Sequence, residues 1–446
     1  MSNVISSYIN KFDLGGLAHV RGRIGWKGLK SNEYVDDGPF LIAGTHINGD
    51  KIQWDECQHI TEFRYEESPE IMLKVRDLII SKDGTIGRIA YVDQLPGPAT
   101  INSTMMLVRL KSQDSLCSQY LFYFLQGEVF QKLVAERMSG SGVPHLFQAD
   151  MKQLIVRAPQ DVRKQKKIAK ILTTIDNLTE KTQALIDKYT AIKQGMMADL
   201  FTRGIDLSGT PDTNPNYGQL RPSYNQAPGQ YKKTELGWLP EEWGVEKLET
   251  LLAKIPSAMR SGPFGSALLK HELVEQGIPL LGIDNIFVEK FENKFKRFVT
   301  QEKFNELSRY SVRSRDVVIT IMGTVGRCCV IPEKTETSLS SKHLWTMTFD
   351  VKKALPELIC WQLNYAPWAK SWFYQKSQGG VMDAIQSSTL KSLKLPVPPI
   401  QEQKRIHLIY MNLCDRIEQE RIVYSKLKLK KKGLMQDLLT GKVKVA

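Results

Sequence analysis

These 446 residues are short of most signatures of an enzyme, a secreted protein or a membrane protein. The six cysteines, Cys57, Cys117, Cys328, Cys329, Cys360 and Cys414, show no C-x-x-C spacing, which argues against a disulfide framework or zinc knuckle and predicts reduced, mostly buried thiols. No apolar run reaches the roughly eighteen residues that a membrane helix needs. The opening MSNVISSYINKF lacks the basic-then-apolar pattern of a signal peptide, so a cytoplasmic protein with no membrane partner is expected. No G-x-x-x-x-G-K-S/T loop is present, which excludes a phosphate-driven motor of that type.

Two sets of residues imitate catalytic motifs. Asn214-Pro-Asn-Tyr217 is like the Asn/Asp-Pro-Pro-Tyr/Phe of amino-methyltransferases, but it lacks the second proline, follows no strand and has no glycine-rich loop upstream. Asp284 with Glu292-Asn-Lys294 has nuclease-like residue types in a setting that suits an exposed charged turn. Of the seven histidines, only His46 and His59, with Cys57, suggest metal, and a fourth ligand at usual spacing is missing. No catalytic residue and no metal site is therefore expected.

What the chain does have is positive charge and repetition. A net charge of +13 suits an anionic partner such as nucleic acid. Much of it lies in residues 160–204 and 399–446, and the run from Lys426 to Lys432 fits either a solvated face or a phosphate-facing one. Both segments are long and periodic. In the first, Ile168, Leu172, Ile175, Thr179, Thr182, Ile186, Tyr189, Lys193, Met196 and Leu200 alternate by four and three, the spacing of a coiled-coil seam. Shifted by 238 residues, the seam returns at Ile406, Tyr410, Leu413, Ile417, Glu420, Tyr424, Leu427, Lys431, Leu434 and Leu438. Such helices are rods of roughly 60 Å. Their polar seam positions imply that each needs a partner, and the other copy is the nearest candidate.

The repeat extends upstream. Arg76-Asp-Leu-Ile-Ile-Ser-Lys-Asp-Gly-Thr-Ile-Gly-Arg88 matches Arg315-Asp-Val-Val-Ile-Thr-Ile-Met-Gly-Thr-Val-Gly-Arg327 and reads as strand, tight turn, strand. Ser139-Gly-Ser-Gly-Val-Pro144 parallels Ser377-Gln-Gly-Gly-Val-Met382. Shorter helices are expected near Ser118 to Arg137 and Ala354 to Lys376, with their aromatic residues packed on a sheet. The expected organisation is a strand-rich domain at 1–159, a helix at 160–204, a Gly/Pro/Asn/Ser-rich linker at 205–237, a second domain at 238–398 and a second helix at 399–446. The fold class is α/β (α+β): a tandem duplication whose two long helices form an antiparallel coiled coil with pseudo-twofold symmetry.

Two similar but non-identical domains on a rigid spacer suit a split target on a linear polymer, and DNA repeats one face about every 34 Å. The domains differ most in Gly22-Arg-Ile-Gly-Trp-Lys-Gly-Leu-Lys30 and Arg260-Ser-Gly-Pro-Phe-Gly-Ser-Ala-Leu-Leu-Lys-His271, loops that mix glycine, cations and an aromatic residue. Candidate DNA contacts are Arg21, Arg23, Lys27, Lys30, Arg88, Ser139 and Ser141 in the first domain, and Arg260, Ser261, Phe264, Ser266, Lys270, His271, Arg327 and Gln378 in the second.

The duplication, the shared helix endings Gly195-Met-Met-Ala-Asp-Leu-Phe-Thr202 and Gly433-Leu-Met-Gln-Asp-Leu-Leu-Thr440, the Leu236-Gly-Trp-Leu-Pro-Glu-Glu-Trp243 opening and the Pro263-Phe-Gly-Ser266 loop together resemble the specificity subunit of type I restriction-modification systems, over essentially the whole chain. The first unit lacks the tryptophan-rich opening. The resemblance implies two target recognition domains, each reading half of a bipartite double-stranded DNA site. It also implies helices that set the spacing and bind two methyltransferase subunits, with up to two restriction/translocase subunits joining them. S-adenosylmethionine, ATP and Mg2+ would be held by those partners and no cofactor by this chain. Candidate partner contacts on the helices are Ile175, Tyr189, Met197, Leu200, Leu413, Tyr424, Met435 and Leu438. The alternative from another class is a two-headed coiled-coil adaptor that binds proteins without DNA specificity.

Overall fold

A computed structural model describes residues 8–23, 29–30, 33–139, 144–323, 325–377 and 385–445. The candidates Lys27, Ser141 and Gln378 lie outside the described residues. The periodic segments are helices Val162–Thr202 and Ile400–Leu439, called here the first and second long helix. Among the described residues no helix is long and apolar enough to cross a membrane.

The compact units do not follow the sequence repeat. One comprises Met1–Leu185 with Glu420–Ala446, the other Ile186–Gln419, so each unit combines one head with a part of both long helices. In the first unit, Leu434, Met435, Leu438 and Leu439 join Ile168, Ala169 and Leu172 in the core of the head, while Lys431 reaches Asp176 at 2.7 Å. Residue numbers rise along one helix as they fall along the other, so the segments are antiparallel. In the second unit the same order appears: Arg416 lies over the Tyr189 ring and Lys193 over the Tyr410 ring, while Met197 and Leu200 share a core with Ile406.

This packing explains the polar seam positions. Lys193 pairs with Glu289 at 2.9 Å, and Lys431 pairs with Asp176 beneath the Tyr123 ring. Thr179 and Thr182 donate to the carbonyls of Ile175 and Leu178 one turn back, both at 2.8 Å. Seam residues that look weak in sequence thus have local partners.

Each head is built on a four-stranded antiparallel sheet of the same order. In the first head it runs Ala18–Arg21, Met105–Leu110, Leu78–Ser81, Ile89–Tyr91; in the second, Met259–Arg260, Leu344–Met347, Val317–Thr320, Cys328–Val330. The duplicated strand-turn-strand motif supplies the last two strands of each. Their apolar runs are buried on both faces, by helices on one side and smaller sheets on the other, so they do not alternate. Each expected short helix is a pair: Ser118–Gln126 and Glu128–Met138 part at Gly127, which is extended, and Pro356–Tyr365 and Pro367–Ser377 part at Ala366, held extended by the following proline. Tyr120, Phe124 and Phe130 are buried in the core that includes the first head's sheet, as expected, whereas the buried Trp361 packs on His407 and Tyr410 of the second long helix rather than on a sheet. Five of the six cysteines are buried and all are unpaired.

Head and helix are joined identically in both units by a buried glutamine. Gln165 accepts from the Cys117 backbone at 2.8 Å and donates to the Pro159 and Ser115 carbonyls. Gln403 accepts from Leu355 at 2.8 Å and donates to the Pro398 and Lys353 carbonyls. A fully satisfied buried amide fixes the angle at which a helix leaves its head.

The linker is more ordered than its composition suggests. Its Arg221 is buried against Glu402, which also accepts from the Ile205 backbone at 2.8 Å and from Trp243 Nε1 at 3.1 Å. Gly204 ends the first long helix with a left-handed φ of 64°, and a Cβ there would lie 2.1 Å from Glu402 Oε1, so no other residue fits. Trp243 of the opening motif therefore serves this joint.

Candidate nucleic-acid interface

Antiparallel pairing brings the variable loops to one end of each sheet. In the second head, Arg260 pairs with Thr346, so the loop that follows Arg260 emerges beside the turn that precedes Leu344. The turn between Thr320 and Cys328, which carries Arg327, lies at that end too. Gly262 rests on the neighbouring backbone: its N–H donates to Ser341 O at 3.1 Å, and a Cβ would come within 2.1 Å of Ser340 O. The close approach requires glycine.

Between this loop and turn lies a cleft of about 280 Å3, lined by Pro263, Gly265, Leu268, Leu269, Lys270, Leu273, Leu280, Arg297, Ser341, Lys342 and His343. Lys270 and Lys342 are exposed and form no ion pair with a described residue, and the Phe264 ring is 57% exposed beside them. Arg297 is anchored on Asp284, yet its buried Nε, like Ser341 Oγ, has no hydrogen-bond partner among the described residues. Burial would raise the Asp284 carboxyl, but the Arg297 charge and hydrogen bond hold it below the ordinary range. His343 is held below its ordinary value by burial and by Lys342 and Arg297, so at neutral pH it is an uncharged donor or acceptor. Unpaired cations, orphaned donors and an exposed aromatic ring at one sheet end can hold phosphate oxygens and base edges.

Of the second-head candidates, Phe264, Ser266, Lys270 and His271 are exposed at this end. Ser261 is buried, with Oγ 3.4 Å from Lys342 O, and supports the turn. Arg327 is half-buried over the Phe287 ring. Arg260 is a correction: its side chain turns back to the other end of the sheet, into an ion pair with Asp316 and a 2.6 Å bond to Ser311 O, and is 4% exposed. Burial pulls the Arg260 guanidinium down and pushes the Asp316 carboxyl up from their ordinary values. Such a pair holds the interior together and offers nothing to a groove.

In the first head, Arg21 is exposed at the corresponding sheet end. Lys30 is exposed too, and its backbone N–H donates to Glu33 at 2.6 Å. Arg23 is buried, with Nε donating to Ile101 O at 3.2 Å. Arg88 is half-buried, bonded at 2.9 Å to Gly44 O and at 3.3 Å to Ile47 O, and braces a turn. Exposed Ser139 caps back onto Glu136 O at 3.1 Å. Lys82 and His145 meet on Asp83; burial would raise this carboxyl, but those two hydrogen bonds hold it low. Arg297, Lys342, His343 and Lys82 were not anticipated, because each comes from a turn far in sequence from the variable loops.

The decoys are accounted for locally. His46 Nδ1 accepts from Ala43 N, His59 Nδ1 bonds Gly38 O at 2.7 Å and Cys57 Sγ bonds Gln53 O at 3.3 Å. Asp284 is committed to Arg297 and Lys296.

On the long helices, Ile175, Met197, Leu200 and Leu438 are buried within their own units, and Met435 is packed against the first core. Tyr189 lies under Arg416 and Tyr424 under Lys428, while Leu413 is half-buried. The seam is thus largely consumed inside the chain. Exposed apolar residues fall at other positions: Leu178, Leu185 and Ile192 on the first helix, Leu408, Met411, Ile422, Val423 and Leu429 on the second.

A family profile described as the type I restriction modification DNA specificity domain matches residues 8–188 and 271–427. The chain is 24% identical over 381 residues to the type I restriction enzyme MjaVIII specificity subunit of Methanocaldococcus jannaschii, spanning 84% of this chain and 81% of that one. It is 22% identical over 412 residues to the EcoBI specificity subunit of Escherichia coli, covering 89% and 77%. Among solved structures, the S subunit of a type I restriction-modification system from M. genitalium superposes with a TM-score of 0.55 at 14% identity, covering 96% of both chains.

Proposed function

We propose, from the premise that this chain belongs to the type I restriction modification DNA specificity family, that its two heads read the two halves of a bipartite DNA site. It is the non-catalytic specificity component of such a system, and its role is recognition. The observation that carries the two-part reading is the pairing of a shared four-stranded sheet with unlike residues at the same sheet end: Arg21 in one head, Phe264, Lys270, Lys342 and His343 in the other. A conserved frame with divergent loops reads two different half-sites. Exposed cations supply phosphate affinity, and the cleft around Arg297 and Ser341 supplies donors for base edges.

The exposed apolar positions on the long helices fit protein partners, with Leu178 and Leu185 as the anchor for one of two methyltransferase subunits and the restriction subunits joining that assembly. Methyl transfer from S-adenosylmethionine, and ATP- and Mg2+-dependent steps, fall to those partners. The complex acts in the cytoplasm. The helices set the distance between half-sites, and the glutamine joints at Gln165 and Gln403 hold each head on its own helix.

The test is competition binding. The chain with its methyltransferase partner is held on a duplex carrying the bipartite site and challenged with duplexes altered in either half. Loss of preference from either alteration alone supports two readers; equal affinity for all duplexes contradicts it.

A further inference from the structure

We propose that the first unit carries a docking cleft for an acidic segment of a protein partner, centred on Arg76, Lys166 and Lys170. The second unit fills the equivalent place with its own glutamates. Arg76 and Arg315 are repeat-related and share a left-handed φ, 81° and 63°, which non-glycine residues seldom adopt. Their N–H groups donate to equivalent carbonyls, Val92 O at 2.7 Å and Ile331 O at 3.0 Å. Both arginines are thus held in the same way.

Their partners differ. Arg315 pairs with Glu357 at 2.9 Å and with Glu333 at 3.6 Å. The repeat places Gln119 where Glu357 stands, because the preceding turns are fixed alike by Gln165 and Gln403, and it places Gln94 where Glu333 stands. Both carboxylates are therefore replaced by neutral amides in the first unit. Arg76 has no ion-pair partner among the described residues, and neither do Lys166 and Lys170.

The three cations open on a cleft of about 540 Å3, lined also by Tyr91, Gln119 and Thr173, and no Asp or Glu lines it. Unpaired like charges around a polar hollow favour an incoming anion. In the second unit the anions paired with the counterpart arginine, Arg315, are both carboxylates. DNA is disfavoured because Arg76 precedes strand Leu78–Ser81, whereas the DNA-facing loops follow the far end of that strand, beside Arg21. Among the described residues the arginine without an ion pair is in the first unit and its counterpart in the second is paired, so partners would engage the two units unequally.

The experiment uses the full chain and a short polyglutamate peptide coupled by carbodiimide, with cross-linked lysines mapped by mass spectrometry. Cross-links are expected at Lys166 and Lys170, and they should fall roughly fivefold or more in the Gln94→Glu/Gln119→Glu double variant, which restores the internal acids. Arg76→Gln, which creates no internal pair, should lower them as well. Yields at Lys428 and Lys430, and sequence-specific DNA retention measured on the same samples, should stay unchanged, which separates this site from DNA reading. Yields at Lys166 and Lys170 no higher than at Lys428, or unmoved by either variant, would overturn the proposal. Protection of Lys166 and Lys170 by duplex DNA would assign the cleft to phosphate and overturn it equally.

Discussion

Arg260 and Asp316 form a buried ion pair in the second head, while in the first head Asp77, the repeat counterpart of Asp316, takes its arginine from a different strand, at Arg109. Arg109 bonds Asp77 through Nε at 2.7 Å and Nη2 at 2.6 Å. The second head has Thr348 at the Arg109 position, donating to Asp316, and the first head has exposed Arg21 at the Arg260 position. The acid and its need for a guanidinium are kept, and the strand that supplies it is exchanged. Arg21 is thereby released to the surface.

Arg260→Ala should accordingly act on stability. Removing one partner of a buried pair leaves Asp316 uncompensated, a cost of about 3–5 kcal/mol. Urea unfolding of the variant should show that loss, and its residual folded fraction should keep the parent's sequence preference. A stable variant with altered preference would return Arg260 to the DNA interface.

Asp284→Asn probes the anchor of Arg297. A carboxyl held below its ordinary value of 3.8 contributes stability above that value, and the contribution disappears as pH falls through the lower folded value. The parent should therefore melt about 1–3 °C above the variant at neutral pH, with the gap closing as the pH falls below the ordinary carboxylate range. A gap that widens on acidification would contradict the assignment.

The sequence revealed the repeat and the long helices because periodicity and duplication are local signals that survive divergence. It revealed much less of the site. Where Arg260 points is decided by Asp316, which a linear reading cannot pair with it, and the same holds for Arg297 with Asp284. The seam residues Ile175 and Leu438 looked available to partners because heptad spacing does not say which neighbour covers them. The linker looked free because a glycine- and proline-rich stretch hides single anchors such as Arg221.

Leu185→Asp places a charge in the exposed helix stripe, away from either core. Thermal stability should change by no more than about 0.5 kcal/mol. Co-purification with the methyltransferase subunit should weaken at least roughly tenfold, as for loss of a central apolar anchor. Undiminished co-purification would place docking elsewhere.

Inserting one heptad into each long helix adds about 10 Å, or roughly three base pairs of DNA length. The preferred gap between half-sites should lengthen accordingly in a selection from randomised-spacer duplexes. An unchanged gap would remove the helices from the role of ruler.

The central claim is tested most directly by long-read methylation mapping in cells that carry this chain with its methyltransferase, compared with cells in which the cleft residues Lys270, Lys342 and His343 are together replaced by alanine. The account predicts a split, asymmetric methylated motif in the first cells, with one half relaxed and the other half intact in the second. A motif altered in both halves, or a methylome indifferent to the chain, would contradict it.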